Sequence, residues 1–276
     1  MPPAVLSLDR VEAVIFDTDG VITDTARVHA TAWKTVFDAF LRTHSAACRE
    51  KFRPFDVRAD YLRYVDGKPR LDGIRSFLAA RGIEPPPDEA AEIIEAIGQR
   101  KDALFLEQIR RYGVAAYPST VRLIAELRRY QVRTAAVSAS RNCGEVLRRA
   151  GVARMFDVRV DGLDAARLGF PGKPHPGLFL EAARRLGVPP DLAAVAEDAL
   201  AGVIAGRNGG FGLVIGVDRS GQAAELRASG ADLVVADLAE LRLARTTLRG
   251  PSIRAIRAAQ AARLARSAQA ARPPRR

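Results

Sequence analysis

Six short apolar runs, separated by segments with helical periodicity, dominate the hydrophobic pattern of the chain. Continuous apolar runs of about four to eight residues are typical of strands that are buried on both faces of a sheet. Strands that alternate with helices predict an α/β fold with a parallel sheet. The predicted strands are Val11–Phe16, Val132–Ser138, Phe156–Val160, Ala193–Ala196, Gly212–Val217 and Leu233–Val235. The predicted helices between them are Thr120–Tyr130, Cys143–Ala150, Pro176–Leu186, Leu200–Asn208 and Gln222–Ala228.

Residues 25–112 differ from the rest, because they show helical periodicity without a clear strand pattern. They predict a helical insertion in an α/β core that consists of residues 1–24 and 113–240. A cap that covers a substrate and a purely structural insert are both compatible with this pattern. The predicted helices of the insertion are Ala26–Leu41, Arg70–Ala80 and Asp88–Arg111.

The net charge of +11 belongs to one end of the chain. Ten arginines and no acidic residue follow Glu240, so the first 240 residues carry 33 basic and 32 acidic side chains. Residues 241–276 therefore predict a basic tail rich in alanine and arginine, with a helix over Ser252–Ala271. A solvated appendage is the simpler interpretation, and binding to nucleic acid or another acidic surface is the alternative. The nearly neutral core argues against nucleic acid as the main partner.

Other bulk features predict a cytoplasmic protein that has no membrane partner. No apolar run approaches the roughly 18 residues that a membrane-spanning helix needs. The start, Met1-Pro2-Pro3-Ala4, lacks the charged and apolar segments of a signal peptide. Cys48 and Cys143 are the only cysteines, too few for a disulfide framework.

Polar residues follow the predicted strands at the points where ligands bind. In open parallel sheets, ligands bind beyond the carboxyl ends of the strands. Acidic pairs after two strands, with a hydroxyl and an amine after two others, predict a site for a divalent cation and a phosphate. These residues are Asp17 and Asp19 after the first strand, Ser138 after the second, Lys173 after the third, and Glu197 and Asp198 after the fourth.

Each of these residue types suits one part of a phosphoryl transfer. Asp17 and Asp198 offer carboxylates to Mg²⁺, and the backbone carbonyl of Asp19 offers a further oxygen. The Asp17 carboxylate is also a candidate nucleophile towards phosphorus, which would give an aspartyl phosphate. Asp19, two residues further on, is placed to act as general acid and then as general base. Ser138 and Lys173 are candidates to stabilise charge on the transferred phosphoryl group.

The ordered set resembles the haloacid dehalogenase superfamily. Asp17 to Asp24 matches the first motif of that superfamily, Ser138 the second, Lys173 the third, and Glu197-Asp198 the fourth. The resemblance implies a Rossmann-like core with a helical cap, and Mg²⁺-dependent chemistry through an aspartyl phosphate. It also implies that Asp17, Asp19, Glu197 and Asp198 form the metal site, and that the phosphatase and mutase branches are the relevant ones.

A closer resemblance is to the β-phosphoglucomutase-like family, whose members interconvert β-glucose 1-phosphate and glucose 6-phosphate. It implies that the substrate is a small sugar phosphate and that glucose 1,6-bisphosphate activates the enzyme. A phosphatase of sugar phosphates or other small phosphate esters is the alternative function. A binding protein that uses the basic tail on an inactive scaffold is the third, which the complete catalytic set opposes. The implied substrate-binding residues are His29, Arg70, Lys101, Ser140, Arg141 and Asn142.

Two positions, and the middle residues of the segment Gly67-Lys68-Pro69-Arg70, depart from the pattern of this family. Thr18 lies where leucine or methionine is more familiar, and Asp66 takes the place of a lysine. Lys68, two residues after Asp66, is a candidate replacement for that cation. These departures leave the predicted chemistry intact, but they leave the identity of the sugar phosphate open.

Overall fold

The computed structural model describes residues 4–245, which contain a six-stranded parallel sheet. The order of its strands is β4-β3-β2-β5-β6-β7, so the chain reverses its direction of travel across the sheet at β2. A separate parallel pair joins β1 to β8. The strands are β1 (Ala4–Ser7), β2 (Ala13–Asp17), β3 (Arg133–Val137), β4 (Val158–Val160), β5 (Ala193–Glu197), β6 (Leu213–Val217), β7 (Leu233–Val235) and β8 (Leu241–Ala244).

Helices cover both faces of the sheet. Since successive residues of a strand point to opposite faces, Val14 and Phe16 of β2 belong to one apolar layer and Ile15 to the other. Ile124 of α4 packs in the first layer, and Phe179 of α7 packs in the second. The helices of this core are α4 (Pro118–Arg129), α5 (Cys143–Arg149), α6 (Gly162–Leu168), α7 (Gly177–Leu186), α8 (Leu200–Asn208) and α9 (Ala223–Ala228).

The helical insertion has an apolar cluster of its own. It consists of α1 (Ala26–Cys48), a π-helix (Tyr61–Val65), α2 (Arg70–Ala80) and α3 (Ala90–Tyr112). Phe37 and Phe77 lie at its centre, with ring centroids 4.2 Å apart, and both are fully buried. This cluster contains no residue of the sheet. The insertion therefore buries its own apolar faces, as a separately packed unit does.

The register of the sheet brings three strand ends to one place. Asp17 of β2 is paired with Val137 of β3, and Phe16 is paired with Ala196 of β5. Residues that directly follow β2, β3 and β5 therefore lie side by side at the carboxyl edge of the sheet. This is the switch point at which open α/β sheets bind ligands.

The predicted α/β fold is confirmed, and all six predicted strands are present as β2–β7. Their bounds differ by no more than two residues at either end, and the run Phe156–Val160 forms a strand only over Val158–Val160. The helix predicted over Ala26–Leu41 continues to Cys48. The sequence patterns did not predict β1, β8, α6 or the π-helix, all of which are short elements of four to seven residues.

The predicted start of the basic tail needs correction. Leu241–Ala244, assigned to the tail, form β8 and pair residue by residue with Ala4–Ser7. Leu241 is buried in the sheet core whereas Arg242 is exposed, which is the alternation of a half-buried strand. The helix predicted over Ser252–Ala271 lies outside the described residues. None of the helices within residues 4–245 combines the length and apolar composition that a membrane span requires.

Candidate active site

A cavity of about 300 Å³ lies between the helical insertion and the carboxyl edge of the sheet. Its walls combine residues that are far apart in the chain. Asn142 is the one predicted site residue that does not line it. The eleven that do are Asp17, Asp19, His29, Arg70, Lys101, Ser138, Ser140, Arg141, Lys173, Glu197 and Asp198.

Asp17, the last residue of β2, is buried against Lys173. The Lys173 Nζ donates to Asp17 Oδ1 at 2.5 Å and to Glu197 Oε2 at 2.8 Å. Burial lowers the pKa of Lys173, but the two carboxylates more than offset it, so the pKa of Lys173 is raised. Burial and the charge of Glu197 raise the pKa of Asp17, while Lys173 opposes them. Lys173 thus holds a fixed positive charge beside the predicted nucleophile.

Three carboxylates form a cluster that suits a hard divalent cation. Asp17, Glu197 and Asp198 each offer an oxygen, and these oxygens lie within 4.8 Å of one another. Among residues 4–245, no hydrogen bond to the Asp198 carboxylate is found. Burial raises the pKa of Asp198, and the charges of Asp66 and Glu197 add to the shift. An unpaired carboxylate among like charges fits a cation, and an all-oxygen donor set is what Mg²⁺ prefers.

Gly20 allows the first loop to approach Asp198. Its φ of +83° is in the left-handed region, and a Cβ at this position would lie 1.8 Å from Asp198 Oδ2. Neither the conformation nor the space would accept a side chain. The Asp17–Gly20 loop therefore packs directly on the acidic end of β5.

Asp19 is held by three neighbours. Thr25 Oγ1 donates to its Oδ1, and Ser138 Oγ donates to its Oδ2 at 3.2 Å. His29 Nε2 is 3.3 Å from Oδ1, close enough for an ionic contact but not aligned as a hydrogen bond. Burial raises the pKa of Asp19, but His29, Thr25 and Lys101 outweigh it and the pKa is lowered. The Asp19 carboxylate lies outside the three-carboxylate cluster, which leaves its backbone carbonyl as the atom that a cation could use.

His29 and Lys101 connect the insertion to Asp19. The Lys101 Nζ lies 2.8 Å from His29 Nδ1, and the His29 ring stacks on Phe105 at 4.1 Å. Burial lowers the pKa of Lys101 to about 8, although Asp102 opposes this shift. Burial and Lys101 also lower the pKa of His29. Because Lys101 donates to Nδ1, the neutral imidazole carries its proton on Nε2, facing Asp19.

Lys68 reaches the cavity from the loop before α2, and Arg70 reaches it from the first turn of α2. Arg70 pairs with Glu95 at 2.9 Å and with Asp102, both on α3. Lys68 Nζ donates to Ser76 Oγ at 3.0 Å. Both cations line the cavity, but the structure commits Arg70 to two carboxylates, which sequence reasoning did not anticipate.

The segment after β3 forms the wall next to Ser138. The Ser140 backbone N–H donates to Ser138 Oγ at 3.0 Å, and Ser140 and Arg141 line the cavity. Asn142 lies just outside the wall, at the start of α5, where its N–H donates to Ser140 Oγ at 3.1 Å. Its side-chain Nδ2 is buried and has no hydrogen-bond partner among the described residues.

Asp66 and Tyr61 are cavity residues that were not assigned to the site. Burial raises the pKa of Asp66 to about 6; a hydrogen bond with Tyr61 opposes the shift and the charge of Asp17 adds to it. Asp66 directly follows the π-helix, and π-helical turns are frequent at functional sites. The departure from lysine at position 66 was visible in the sequence, but its proximity to Asp198 was not.

Thr18, the first departure, has a structural explanation. It is fully buried, and its Oγ1 donates to Val137 O at 3.0 Å and lies 3.4 Å from Cys143 Sγ. The hydroxyl thus ties the loop after β2 to the end of β3. A hydrogen-bonded threonine is tolerated where an apolar residue would also fit.

Comparison with known proteins identifies the family. A haloacid dehalogenase-like hydrolase model matches residues 11–210. A β-phosphoglucomutase of Mycobacterium bovis is 47% identical over 241 residues, which cover 84% of this chain and 92% of that protein. A β-phosphoglucomutase of Bacillus subtilis is 33% identical over 234 residues, which cover 84% of this chain and 92% of that protein.

Solved structures show the same relationship. The β-phosphoglucomutase of Clostridium difficile superposes with a TM-score of 0.67 at 25% identity, covering 84% of this chain and 93% of that one. CbbY of Rhodobacter sphaeroides, in complex with xylulose 1,5-bisphosphate, superposes with a TM-score of 0.64 at 26% identity. The match covers 84% of this chain and 97% of that one.

The fold and the matched family define an enzyme of the haloacid dehalogenase phosphotransferase or hydrolase kind. The chain belongs to the haloacid dehalogenase-like hydrolase family, and the relatives described above include β-phosphoglucomutases in both sequence and structure. The resemblance predicted from the motifs is confirmed.

Proposed function

We propose that this enzyme converts β-glucose 1-phosphate into glucose 6-phosphate by Mg²⁺-dependent phosphoryl transfer through a phosphorylated Asp17. The observation that carries the proposal is the arrangement of Asp17 and Asp19 at the end of β2. Asp17 lies against a buried lysine and the acidic cluster, while Asp19 is held separately by Thr25 and Ser138. Two aspartates two residues apart thus have different surroundings, as a nucleophile and a proton-transfer group require.

In the first half of the reaction, the phosphorylated enzyme meets β-glucose 1-phosphate. The sugar C6 hydroxyl attacks the phosphorus on Asp17, the bond between phosphorus and the Asp17 oxygen breaks, and Asp19 takes the hydroxyl proton. The products are glucose 1,6-bisphosphate and the free Asp17 carboxylate. Lys173 Nζ and Ser138 Oγ supply hydrogen bonds to the phosphoryl oxygens during the transfer.

In the second half, the bisphosphate turns round and presents its C1 phosphate. The Asp17 carboxylate attacks that phosphorus, the bond between phosphorus and the C1 oxygen breaks, and Asp19 returns its proton to that oxygen. Glucose 6-phosphate leaves, and Asp17 is phosphorylated again. This cycle also explains why glucose 1,6-bisphosphate would activate the enzyme, since it can phosphorylate Asp17 directly.

A divalent cation fits the residues present. Asp17, Asp198 and the Asp19 carbonyl would hold it, and Glu197 belongs to the same carboxylate cluster. When bound, Mg²⁺ supplies positive charge that offsets the charge on the transferred phosphoryl group. Its presence would also oppose the effects that raise the pKa values of Asp17 and Asp198.

The phosphate that is not being transferred needs a second binding place. Arg70, Ser140 and Arg141 line the cavity and are the candidates, and Lys101 lines the same cavity. To bind a phosphate, Arg70 must either keep its ion pairs with Glu95 and Asp102 and bind the phosphate as well, or break them. Two phosphate sites in one cavity favour a mutase over a simple phosphatase.

A phosphatase is the second candidate, because the matched family model is one of hydrolases. Water would then attack the same phosphorylated Asp17, with Asp19 as the general base. The two functions share every residue of the core site, and they differ only in whether the cavity excludes water from the intermediate.

The deciding experiment assays purified enzyme with β-glucose 1-phosphate and Mg²⁺, with and without glucose 1,6-bisphosphate. Glucose 6-phosphate indicates a mutase, whereas glucose and inorganic phosphate indicate a phosphatase.

In the same assay, Asp17→Asn should reduce turnover by more than about 1,000-fold, because an amide does not attack phosphorus. Glu84→Gln, an exposed carboxylate changed in the same way, is the control. Substantial turnover by a folded Asp17→Asn enzyme would exclude the proposed intermediate.

A further inference from the structure

Arg219 bonds to the catalytic loop from outside the cavity. It lies in the loop after β6, is not among the cavity-lining residues, and has no part in the proposed mechanism. Its Nε donates to the backbone carbonyl of Gly20 at 3.0 Å. The next residue back along the chain is Asp19, the proposed proton-transfer group. A side chain 199 residues away in sequence therefore touches the turn that carries Asp19.

The other end of the Arg219 guanidinium is anchored to the edge of the sheet. Its Nη1 donates to Ala236 O at 3.1 Å and to Asp237 Oδ2 at 2.9 Å. Asp237 is itself fixed, since its Oδ1 accepts from the Ala239 N–H at 2.8 Å. The guanidinium carries its five donors in a rigid planar fork, so an anchor at one nitrogen orients the others.

Arg219 also contacts the linker through which the chain returns from the helical insertion. Its guanidinium carbon lies 3.9 Å from the centroid of the Tyr117 ring, within the range of a cation–π interaction. The Tyr117 N–H donates to Ile22 O at 2.9 Å, and the Tyr117 hydroxyl donates to Asp24 Oδ1 at 3.3 Å. Tyr117 thus joins the outgoing and returning linkers of the insertion, and Arg219 stacks against this junction.

Gly20 leaves little freedom for the turn that Arg219 binds. The residue adopts a φ of +83°, and the space for a Cβ is filled by the Asp198 carboxylate. A shift of the Gly20 peptide therefore displaces Asp19 on one side and disturbs Asp198 on the other. Displacements of about 1 Å at a catalytic group can cost about 100-fold in rate.

We propose that Arg219 is a positioning residue for the proton-transfer step: it holds the Asp19–Gly20 turn and the Tyr117 linker in one arrangement. This rests on the proposed function, because it assigns to Asp19 the transfer of a proton to or from the sugar oxygen. Arg219 is not among the residues that line the cavity. It acts through the Gly20 carbonyl, and the stacking on Tyr117 couples that carbonyl to the hinge of the helical insertion.

The test separates the two chemical steps. Phosphorylation of Asp17 by acetyl phosphate releases acetate, which needs no proton, whereas transfer to or from the sugar needs Asp19. In full-length Arg219→Ala, sugar turnover at saturating substrate should fall at least about tenfold, while phosphorylation by acetyl phosphate should change less than about threefold. KM should change little, since Arg219 is outside the cavity.

Two further variants set the comparison. Arg219→Lys keeps a charge for Asp237 but lacks the planar fork, so it should recover only part of the lost sugar turnover. Arg207→Ala removes another arginine that pairs with an aspartate, Asp232 at 3.3 Å, away from the catalytic loop. It should leave both steps at wild-type rates. Equal losses of both steps in Arg219→Ala would show that Arg219 serves general stability and would overturn the proposal.

Hydrogen exchange gives a result that does not depend on the reaction assigned. In Arg219→Ala or, if that variant does not fold, Arg219→Lys, exchange should rise in a peptide covering residues 17–24 and stay unchanged in one covering β3. Unchanged exchange in residues 17–24 would overturn the proposal. If wild-type enzyme forms no phosphorylated Asp17, the proposed function fails, and the exchange result still decides whether Arg219 holds the turn.

Discussion

Pro69 of the helical insertion packs on Gly172, the residue before Lys173. A Cβ on Gly172 would lie 2.1 Å from both Cγ and Cδ of the Pro69 ring, which no real structure tolerates. In the same loop, a Cβ on Gly67 would lie 3.0 Å from the Cβ of Ala199, the residue after Asp198. The loop before α2 is thus seated between the residues that carry Lys173 and Asp198. Two glycines allow this seating.

The first prediction concerns this contact. Gly172→Ala should hold the loop away from the core and admit water to the phosphorylated Asp17. We expect glucose 6-phosphate formation to fall about tenfold or more, and the fraction of phosphate released to water to rise. The double variant Pro69→Ala/Gly172→Ala removes the clashing ring atoms and should restore the ratio of the two products. An unchanged ratio in Gly172→Ala would show that the contact does not control access of water.

A second prediction concerns Gly20. Gly20→Ala should abolish turnover, with a loss above about 100-fold, and should weaken Mn²⁺ binding measured by calorimetry, because the new Cβ displaces Asp198. Gly82→Ala is the matched control: its φ of +67° is also left-handed, but no atom of residues 4–245 lies within 4 Å of its added Cβ. The control should lose about 1–2 kcal/mol of stability and keep its turnover. Normal metal affinity in Gly20→Ala would show that a side chain at this position does not disturb the cation site.

Arg70 provides a third prediction, on the phosphate that is not transferred. Arg70→Ala should lower turnover of β-glucose 1-phosphate about tenfold or more, because an arginine–phosphate contact is charge-assisted. Phosphorylation of Asp17 by acetyl phosphate should survive, since that donor has no second phosphate. Arg148→Ala is the comparison, because this exposed arginine of α5 pairs with Glu145 and does not line the cavity. Similar losses with both donors would assign Arg70 to the packing of α2 on α3 through Glu95 and Asp102.

The fourth prediction is a pH dependence that arises from Lys101. Its pKa is lowered by burial from 10.5 to about 8, so in the free enzyme it is charged below pH 8 and neutral above. We expect kcat/KM for β-glucose 1-phosphate to fall as pH rises above about 8, because the attraction for the phosphate is lost. Arginine stays charged throughout this range, so Lys101→Arg should move the alkaline limb to higher pH. If the alkaline limb does not move in Lys101→Arg, a group other than Lys101 causes it.

The sequence by itself determined the sheet and the contents of its carboxyl edge. Apolar runs such as Val11–Phe16 identify buried strands, and in a parallel sheet the residues that follow the strands meet at one edge. The sequence alone therefore predicts that Asp17, Ser138 and Asp198 lie near one another. The short β1 and β8 could not be predicted, because each is stable only when paired with the other, and their residues lie more than 230 positions apart.

Only the tertiary structure decided which charges face one another across the cavity. The pairing of Arg70 with Glu95 and Asp102 depends on how α2 packs on α3 within the insertion. The position of Asp66 beside the acidic cluster depends on how the insertion packs on the core. The same is true of the hydrogen bond from Arg219 to Gly20. Strand and helix periodicity specify which face of an element is buried. The periodicity carries no information about which distant side chain lies within about 3 Å of a given residue, because that distance is set by packing between elements.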